Sequence, residues 1–178
     1  DYNRTCEGSE KHEGVSSQSL ISDWLLRKYE TAPEHKKLIR RLSKQKDKIV
    51  SAEAEKLHNK IFKELDCLDC ANCCKSIPPI INETDIKRAA KALSMKPGQF
   101  KDKYVKLDED QDMVINHSPC PFLDTDNTCF IYEARPKACR EYPHTDNLEF
   151  MKHKKLHAIN AQYCPAVFHI LEALNSKP

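Results

Sequence analysis

The chain has 178 residues, of which 39% are hydrophobic and 31% are charged, and its mean hydropathy is −0.70. This length suits one domain with an appendage, and so polar a composition leaves little material for a large hydrophobic core. The formal net charge of +2, from 29 Lys and Arg against 27 Asp and Glu, indicates neither nucleic acid nor an acidic surface as an obligatory partner.

Glycine is scarce, which limits the classes of ligand site that this chain can form. The three glycines, at positions 8, 14 and 98, never lie within five residues of one another. Loops that cradle phosphates need several glycines at fixed offsets, so the sequence disfavours a Rossmann-type NAD, flavin or S-adenosylmethionine site and a P-loop. A nucleoside deaminase is also disfavoured, because Pro119-Cys120 lacks the second cysteine of the Pro-Cys-x-x-Cys motif.

The first segment, residues 1–19, is polar, and we expect it to be a flexible tail in which Cys6 is a free surface thiol. It lacks the apolar core of a signal peptide, and no stretch of the chain approaches the ~18 continuous apolar residues of a membrane span. We therefore expect a cytoplasmic protein without a membrane partner.

A helical segment is expected over residues 20–66. Leu20 to Tyr29 has the pattern of a short amphipathic helix, and Pro33 suits the first turn of a second helix. We expect that second helix to run to about Leu65, because no glycine or proline interrupts the stretch. Its inward face would carry the apolar residues Leu38, Leu42, Ile49, Leu57, Ile61 and Leu65.

Seven basic residues lie between positions 36 and 48 of this expected helix. We interpret them as a solvated outer face, since acidic residues resume at Glu53. The alternative is a face that binds nucleic acid or an acidic partner.

The remaining residues, 67–178, are expected to form a cysteine-rich module of short elements. Asn82 and Asp85 are spaced as a capping box for a helix to about Leu93, and Pro97 opens a helix to about Val105. Strands are expected at 113–116 and on both sides of a hairpin turn at 124–127, and helices at 148–162 and 165–174. The expected fold class is mainly α with a small β-hairpin, a metal-stabilised module following the helical segment.

Eight cysteines of the module are predicted to bind metal. Four of them form the run Cys67-x2-Cys70-x2-Cys73-Cys74, in which two-residue gaps let thiolates converge while backbone N–H groups of the turn point at the sulfurs. Eight thiolates match two four-thiolate sites. The other four ligands are Cys120, Cys129, Cys139 and Cys164.

Two other uses of these cysteines are disfavoured. A disulfide framework fits poorly with a cysteine content below the ~8–10% of small disulfide scaffolds and with four cysteines in eight positions. A thioredoxin-like active site is disfavoured because the dithiol lacks the surrounding strand and helix pattern and has too many cysteine neighbours.

The identity of the metal stays open between a [4Fe–4S] cluster and zinc. The run C-x2-C-x2-C opens the bacterial ferredoxin motif, whose remaining ligand is a Cys-Pro, and the chain offers Cys120-Pro121 and Cys164-Pro165. A tetrahedral zinc site needs only four convergent thiolates, and C-x2-C spacing is equally common there.

The adjacent pair Cys73-Cys74 predicts how the eight ligands divide. Neighbouring residues project to opposite sides of an extended segment and lie about 100° apart on a helix. One ion rarely binds both, so we expect two sites that combine early and late cysteines, with Cys73 and Cys74 in different sites.

The order of these motifs resembles the YkgJ-type CxxCxxCC cysteine-cluster family, which is described as chelating zinc or iron. The resemblance runs from Cys67 to Cys164 and includes the element Arg135-Pro136-Lys137-Ala138-Cys139-Arg140. It implies a metal site and the label of iron–sulfur oxidoreductase without a defined substrate. A relative of this motif, the flagellin lysine methylase, transfers methyl groups from S-adenosylmethionine, but this chain has no segment resembling a cofactor domain.

Several other residues lie close to the cysteines in the sequence and are candidates for the same site. Arg135 and Arg140 flank Cys139 and are predicted to lie against the cofactor sulfurs and offset their charge, the alternative being ion pairs with Glu133 and Glu141. The tyrosines Tyr132 and Tyr142 are expected to pack rather than react, and His117 and His144 are expected not to be ligands. A solvated basic face is favoured over a metal pair for His153 and His157.

Two functions follow from these observations. The first is a metal-binding protein with redox or electron-transfer chemistry, whose partner would be another protein or a redox carrier. The second is a zinc-stabilised interaction module without catalysis, in which the long helix holds the partner.

Overall fold

The computed structural model describes residues 16–146 and 148–176 of the chain. The fold is mainly helical with a two-stranded antiparallel hairpin, which confirms the expected fold class. Most of the tail expected over 1–19, together with Cys6, lies outside the described residues. Within the described part of the chain, no helix is both long enough and apolar enough to cross a membrane.

The first helix, α1 (Ser17–Arg27), begins earlier than expected, within the region interpreted as tail. The Ser16 side chain accepts a hydrogen bond from the backbone N–H of Ser19, which satisfies one of the free donors at the helix start. The inward face carries Ile21 and Trp24, and the indole N–H of Trp24 donates to the carbonyl of Ala161 at 2.8 Å.

The prediction of a single long helix from Pro33 to Leu65 is wrong, because the chain forms α2 (Ala32–Leu42) and α3 (Asp47–Glu64) instead. The Ser43 hydroxyl donates to the carbonyl of Ile39 at 2.8 Å, which satisfies an acceptor at the end of α2. Both helices pack against the C-terminal part of the chain, which also supplies separate contacts to each of them.

The elements that follow are short. Their bounds are α4 (Cys67–Cys70), α5 (Asn72–Ser76), α6 (Glu83–Ala92), α7 (Pro97–Tyr104), β1 (Val105–Leu107), β2 (Met113–Ile115), a 3₁₀ turn at Tyr132–Ala134, α8 (Lys137–Glu141), a 3₁₀ turn at Phe150–His153, α9 (Lys154–Asn160) and α10 (Pro165–Asn175). The capping box expected at the start of α6 is present, since Asn82 and Asp85 exchange side-chain and backbone hydrogen bonds.

The hairpin lies earlier in the chain than the sequence pattern suggests. Strands β1 and β2 pair with Val105 opposite Ile115, and the Asp108 carboxylate closes the turn by accepting the backbone N–H groups of Asp110 and Asp112. The turn expected at 124–127 joins two antiparallel segments that are too short to count as strands. They share an isolated bridge between Leu123 and Cys129, and the N–H groups of Asp124 and Phe130 donate to the carbonyls of Thr128 and Phe122.

Two hydrophobic cores hold these elements. Core 1 lies between α1, α2, α3, the 3₁₀ turn at Phe150–His153 and α10, and includes Trp24, Leu38, Phe150 and Phe168, each at most 2% exposed. Core 2 lies between α6, α7, the hairpin and the 3₁₀ turn at Tyr132–Ala134, and includes Ile86, Phe100, Ile115 and Phe122. The segment that carries the first four cysteines connects the two cores in sequence, because it lies between α3 and α6.

Candidate metal centre

The first four cysteines lie on two single-turn helices joined by a sharp bend. The Asp66 carboxylate caps α4 by accepting the backbone N–H of Leu68 at 2.8 Å. Ala71 then adopts a left-handed conformation, with φ of 48°, and its N–H donates to the carbonyl of Cys67. This bend reverses the chain between α4 and α5, so cysteines on both helices can face a common region.

Three hydrogen bonds tie this segment to the regions that carry the later cysteines. The Asn72 amide donates to the carbonyl of Tyr163, the residue before Cys164, at 2.8 Å. The backbone N–H of Cys120 donates to the carbonyl of Cys74 at 2.8 Å. The Asn127 amide donates to the carbonyl of Leu68 at 2.6 Å. Because these are contacts over long sequence separations, they bring early and late cysteines to the same part of the molecule.

The electrostatic interactions between thiols divide the eight cysteines into two groups. In one group, which we call group A, the Cys164 thiol interacts with Cys67 and Cys70, and the Cys73 thiol interacts with Cys164 and Cys67. Group A therefore comprises Cys67, Cys70, Cys73 and Cys164.

In the other group, group B, the Cys139 thiol interacts with Cys74, Cys120 and Cys129. The Cys120 thiol in turn interacts with Cys74 and Cys129. Group B therefore comprises Cys74, Cys120, Cys129 and Cys139.

Packing divides the cysteines in the same way. Cys70 and Cys164, both of group A, pack against core 1. Cys120 and Cys129, both of group B, pack against core 2. Each group thus lies at the edge of a different core, and the adjacent residues Cys73 and Cys74 lie between them.

Cys73 and Cys74 interact more strongly with each other than with the rest. Their sulfurs lie 4.0 Å apart and share a hydrogen bond, which raises the pKa of Cys73 and lowers that of Cys74. Two ligands of one tetrahedral zinc ion would lie about 3.8 Å apart, given zinc–sulfur bonds of about 2.3 Å. The distance between the two sulfurs is thus compatible with one shared ion. Cys73 and Cys74 are assigned to different groups because of the other thiols with which each interacts.

Backbone N–H groups point at the sulfurs, as the C-x2-C spacing suggests. The sulfurs of Cys70, Cys120 and Cys129 each accept the N–H of the residue two positions later. The Cys164 sulfur accepts the N–H groups of Ala166 and Val167, at the start of α10. Such donors stabilise a thiolate more than a thiol, so they favour a metal-bound sulfur.

Burial opposes ionisation of the same thiols. It raises the pKa of Cys120 to about 11 and the pKa of Cys139 and Cys164 to about 12. A buried thiolate becomes favourable when a metal cation compensates its charge. The clustered thiols and the backbone N–H groups that point at them therefore fit zinc or an iron–sulfur cluster, and neither metal group needs an acidic residue as a ligand.

A buried tyrosine hydroxyl completes this picture at group A. The Tyr142 hydroxyl is buried without a hydrogen-bond partner, and it interacts with all four thiols of group A. Burial, followed by these thiols, raises its pKa far above the usual range. An unpartnered donor facing thiols is accommodated if the sulfurs become thiolates that accept its proton in a hydrogen bond. The residues present therefore fit a metal at this position.

The groups are neighbourhoods of thiols rather than closed coordination shells. Across residues 16–146 and 148–176, no three Cys, His, Asp or Glu side chains converge closely enough to hold one ion in the arrangement described.

The two arginines of the family element take different positions. The Arg135 guanidinium lies 3.8 Å from the centre of the Tyr132 ring and lowers the pKa of Cys129 and Cys139, partly offsetting burial. Arg140 is exposed, and it donates to the carbonyl of Arg135 at 2.7 Å. The charge that reaches the group B thiols is therefore that of Arg135.

An acidic residue positions the helix that carries Cys139, which the sequence reasoning missed. The Asp85 carboxylate, 3% exposed, accepts the N–H of Lys137 at the start of α8 at 3.2 Å and also binds Arg88. Arg88 donates in turn to the carbonyl of Arg135 at 2.8 Å. Asp85 was recognisable only as a capping residue, because its second role depends on a contact 52 positions away.

The histidines are occupied elsewhere. His117 is exposed and hydrogen-bonds the Asn116 side chain, and the His144 ring stacks on that of His153. The solvated face expected for His153 and His157 is wrong for His157, which is fully buried and donates to the carbonyl of Phe150 at 2.6 Å.

The comparisons with known proteins agree with this chemistry. Residues 66–165 match the model of the CxxCxxCC family, whose description is "Putative zinc- or iron-chelating domain". The match spans more than half of the chain, so the protein belongs to this family. Searches of curated proteins and of solved structures each found no match.

Proposed function

We propose that the protein binds metal at two four-thiolate sites, one formed by group A and one by group B, and that group A holds a [4Fe–4S] cluster used in electron transfer. The observation that carries the proposal is the division of the eight cysteines into two groups of four, each beside its own hydrophobic core. The expected cytoplasmic location belongs to the proposal, because thiolate ligands persist under reducing conditions.

The ligand order supports an iron–sulfur cluster at group A. Three of its cysteines have the C-x2-C-x2-C spacing and the fourth, Cys164, precedes a proline, which is the combination found in bacterial ferredoxins. Cys67 is exposed, so one edge of such a cluster would lie near the surface where an electron donor or acceptor can approach. When bound, the cluster supplies one-electron chemistry, and the protein supplies ligands, hydrogen bonds and burial that tune its potential.

Group B fits zinc or iron equally, because its four ligands follow no ferredoxin spacing. Its surroundings favour a second candidate function, a zinc-stabilised interaction module. Phe130 and Tyr132, beside Cys129, are 65% and 57% exposed, and exposed aromatic residues are typical of binding surfaces. The long helix expected to hold the partner is instead two helices, α2 and α3, whose apolar faces pack in core 1.

The decisive experiment is anaerobic purification of wild type and of the variants Cys73→Ser and Cys74→Ser, followed by analysis of zinc, iron and sulfide. Wild type should be brown with broad visible absorption if group A binds an iron–sulfur cluster. Cys73→Ser should lose the cluster and keep the metal of group B, whereas Cys74→Ser should do the reverse. Cys6→Ser serves as the matched control and should keep both.

Each part of the proposal has its own contrary result. Wild-type protein that purifies without metal would refute metal binding. Two variants that deplete the same site, as the 4.0 Å separation of the two sulfurs allows, would refute the division into groups. A colourless protein containing only zinc would refute the electron-transfer role and favour the interaction module.

A further inference from the structure

The side chain of Tyr142 places a hydroxyl group near the thiols of group A. This hydroxyl is buried and has no hydrogen-bond partner within the described residues. Burying a hydroxyl without a partner is unfavourable, so an unpaired one indicates a partner that forms under other conditions.

The position of Tyr142 is fixed by its backbone. Its N–H donates to the carbonyl of Ala138 and ends α8, the helix that carries Cys139 of group B. Its side chain nevertheless faces the other group, since the thiols with which it interacts are, in order of strength, those of Cys164, Cys73, Cys70 and Cys67. Tyr142 therefore extends from the group B side of the molecule to group A.

A phenol hydroxyl donates one hydrogen bond, and a metal-bound thiolate is a good acceptor. The sulfurs of group A carry negative charge once a metal is bound, with four thiolates around one centre. Cys164 already accepts two backbone N–H groups, whereas Cys73 donates to or accepts from only Cys74 among the contacts described for its sulfur. Cys73 thus retains acceptor capacity for a further donor.

We propose that Tyr142 is a positioning residue for the group A metal, its hydroxyl donating a hydrogen bond to a metal-bound thiolate of group A, with Cys73 or Cys164 as acceptor. This inference rests on the proposed function, because the acceptor is a thiolate only when metal is bound. The bond stabilises the metal-bound sulfur and withdraws electron density from it, without the hydroxyl becoming a ligand.

The test is the variant Tyr142→Phe in the holoprotein, since it removes only the hydroxyl and keeps the ring. We expect the metal that Cys73→Ser depletes to leave Tyr142→Phe about tenfold faster when an excess of chelator is added. A tenfold change corresponds to about 1.4 kcal/mol, at the lower end for a hydrogen bond to a charged group. Release of the group B metal should be unchanged.

A second measurement separates this role from simple packing. If group A binds iron, loss of the hydrogen bond should move the sulfur-to-iron charge-transfer band to longer wavelength, because the sulfur electrons are no longer stabilised by the donor. Replacing Tyr142 by 3-fluorotyrosine, a stronger donor of the same shape, should slow metal release and move the band in the opposite direction. This variant also serves if Tyr142→Phe fails to fold.

The controls are Tyr132→Phe and Tyr163→Phe, which remove the hydroxyls of exposed tyrosines beside Cys129 and Cys164. Both should release metal at the wild-type rate. Release from Tyr142→Phe and from the fluorotyrosine protein at the wild-type rate, with full metal content, would overturn the role of Tyr142 and leave the proposed function intact. Wild-type protein without metal would overturn both.

Discussion

The buried histidine His157 makes a prediction about pH that can be worked out from its surroundings. Its ring is fully buried, stacks on Phe150 with 4.0 Å between centroids, and leaves Nδ1 without a partner. Burial, with smaller contributions from His153 and His144, lowers the pKa of His157 to about 4. The folded protein therefore keeps this ring neutral in mildly acidic solution.

The sign follows from the difference between the folded and unfolded states. The unfolded chain binds a proton at His157 below a pKa of about 6.5, whereas the folded chain binds it only near 4. Stability from the neutral ring is fully present above pH 6.5 and is lost as pH falls toward 4. The difference between the two pKa values corresponds to about 3 kcal/mol of unfolding free energy in total, of which about 2 kcal/mol is lost between pH 7 and pH 5.

Urea unfolding at pH 7 and pH 5 measures this effect through the fluorescence of Trp24, the single tryptophan, which lies in the same core. In His157→Gln, the amide can still donate to the Phe150 carbonyl but cannot ionise, so the variant should lose about 2 kcal/mol less than wild type. His117→Gln, at an exposed site, controls for loss of a histidine. Equal losses in wild type and His157→Gln would refute the reasoning.

Three further outcomes are expected. Arg135→Gln should speed metal release from group B several-fold, because it removes the positive charge that favours those thiolates. Arg140→Gln should leave the rate unchanged, and equal rates in both variants would mean that Arg135 does not stabilise the group B thiolates. Glu172→Ala should lower the free energy of unfolding by about 2 kcal/mol in urea titrations, because it removes the partner of buried His35 and one of the two carboxylates that Arg27 contacts, the other being Asp23. Chelation under reducing conditions should remove much of the helical circular dichroism of residues 67–178, and an unchanged spectrum of metal-free protein would contradict a structural role for the metal.

The helical content was predictable from apolar spacing, but the break between α2 and α3 was not. The expected helix placed Ile49 inward with Leu42, seven residues earlier, yet Ile49 is 62% exposed and Val50 is 3% exposed. Residues 43–48 are all polar and include no glycine or proline, so no local signal ends the helix. Both helices pack against α10, while α2 also packs against α9 and α3 against the 3₁₀ turn at Phe150–His153, which are contacts distant in sequence.

The cysteines proposed as metal ligands are recognisable from the sequence because C-x2-C spacing and adjacency are local features. The adjacent pair Cys73 and Cys74 already predicted two sites, and that division remains a proposal. Tyr142 was expected merely to pack, because an unpartnered hydroxyl becomes visible only when the surroundings of the ring are known. The burial of His157 is hidden in the sequence for the same reason, since the ring and carbonyl of Phe150 contact a residue that follows Lys152, Lys154 and Lys155.

The order of the cysteines along the chain has a consequence for biosynthesis. Proteins fold as the N-terminal parts emerge from the ribosome, and the first cysteines of the module to emerge are three members of group A together with Cys74 of group B. Group B is complete once Cys139 has been made, whereas group A waits for Cys164 near the end of the chain. On the proposed division, an ion captured early by the first four thiols would have to release Cys74 and accept Cys164. Correct loading would then be an exchange between thiolates on a growing chain, and a nascent chain arrested before Cys164 would hold its metal in a non-native site.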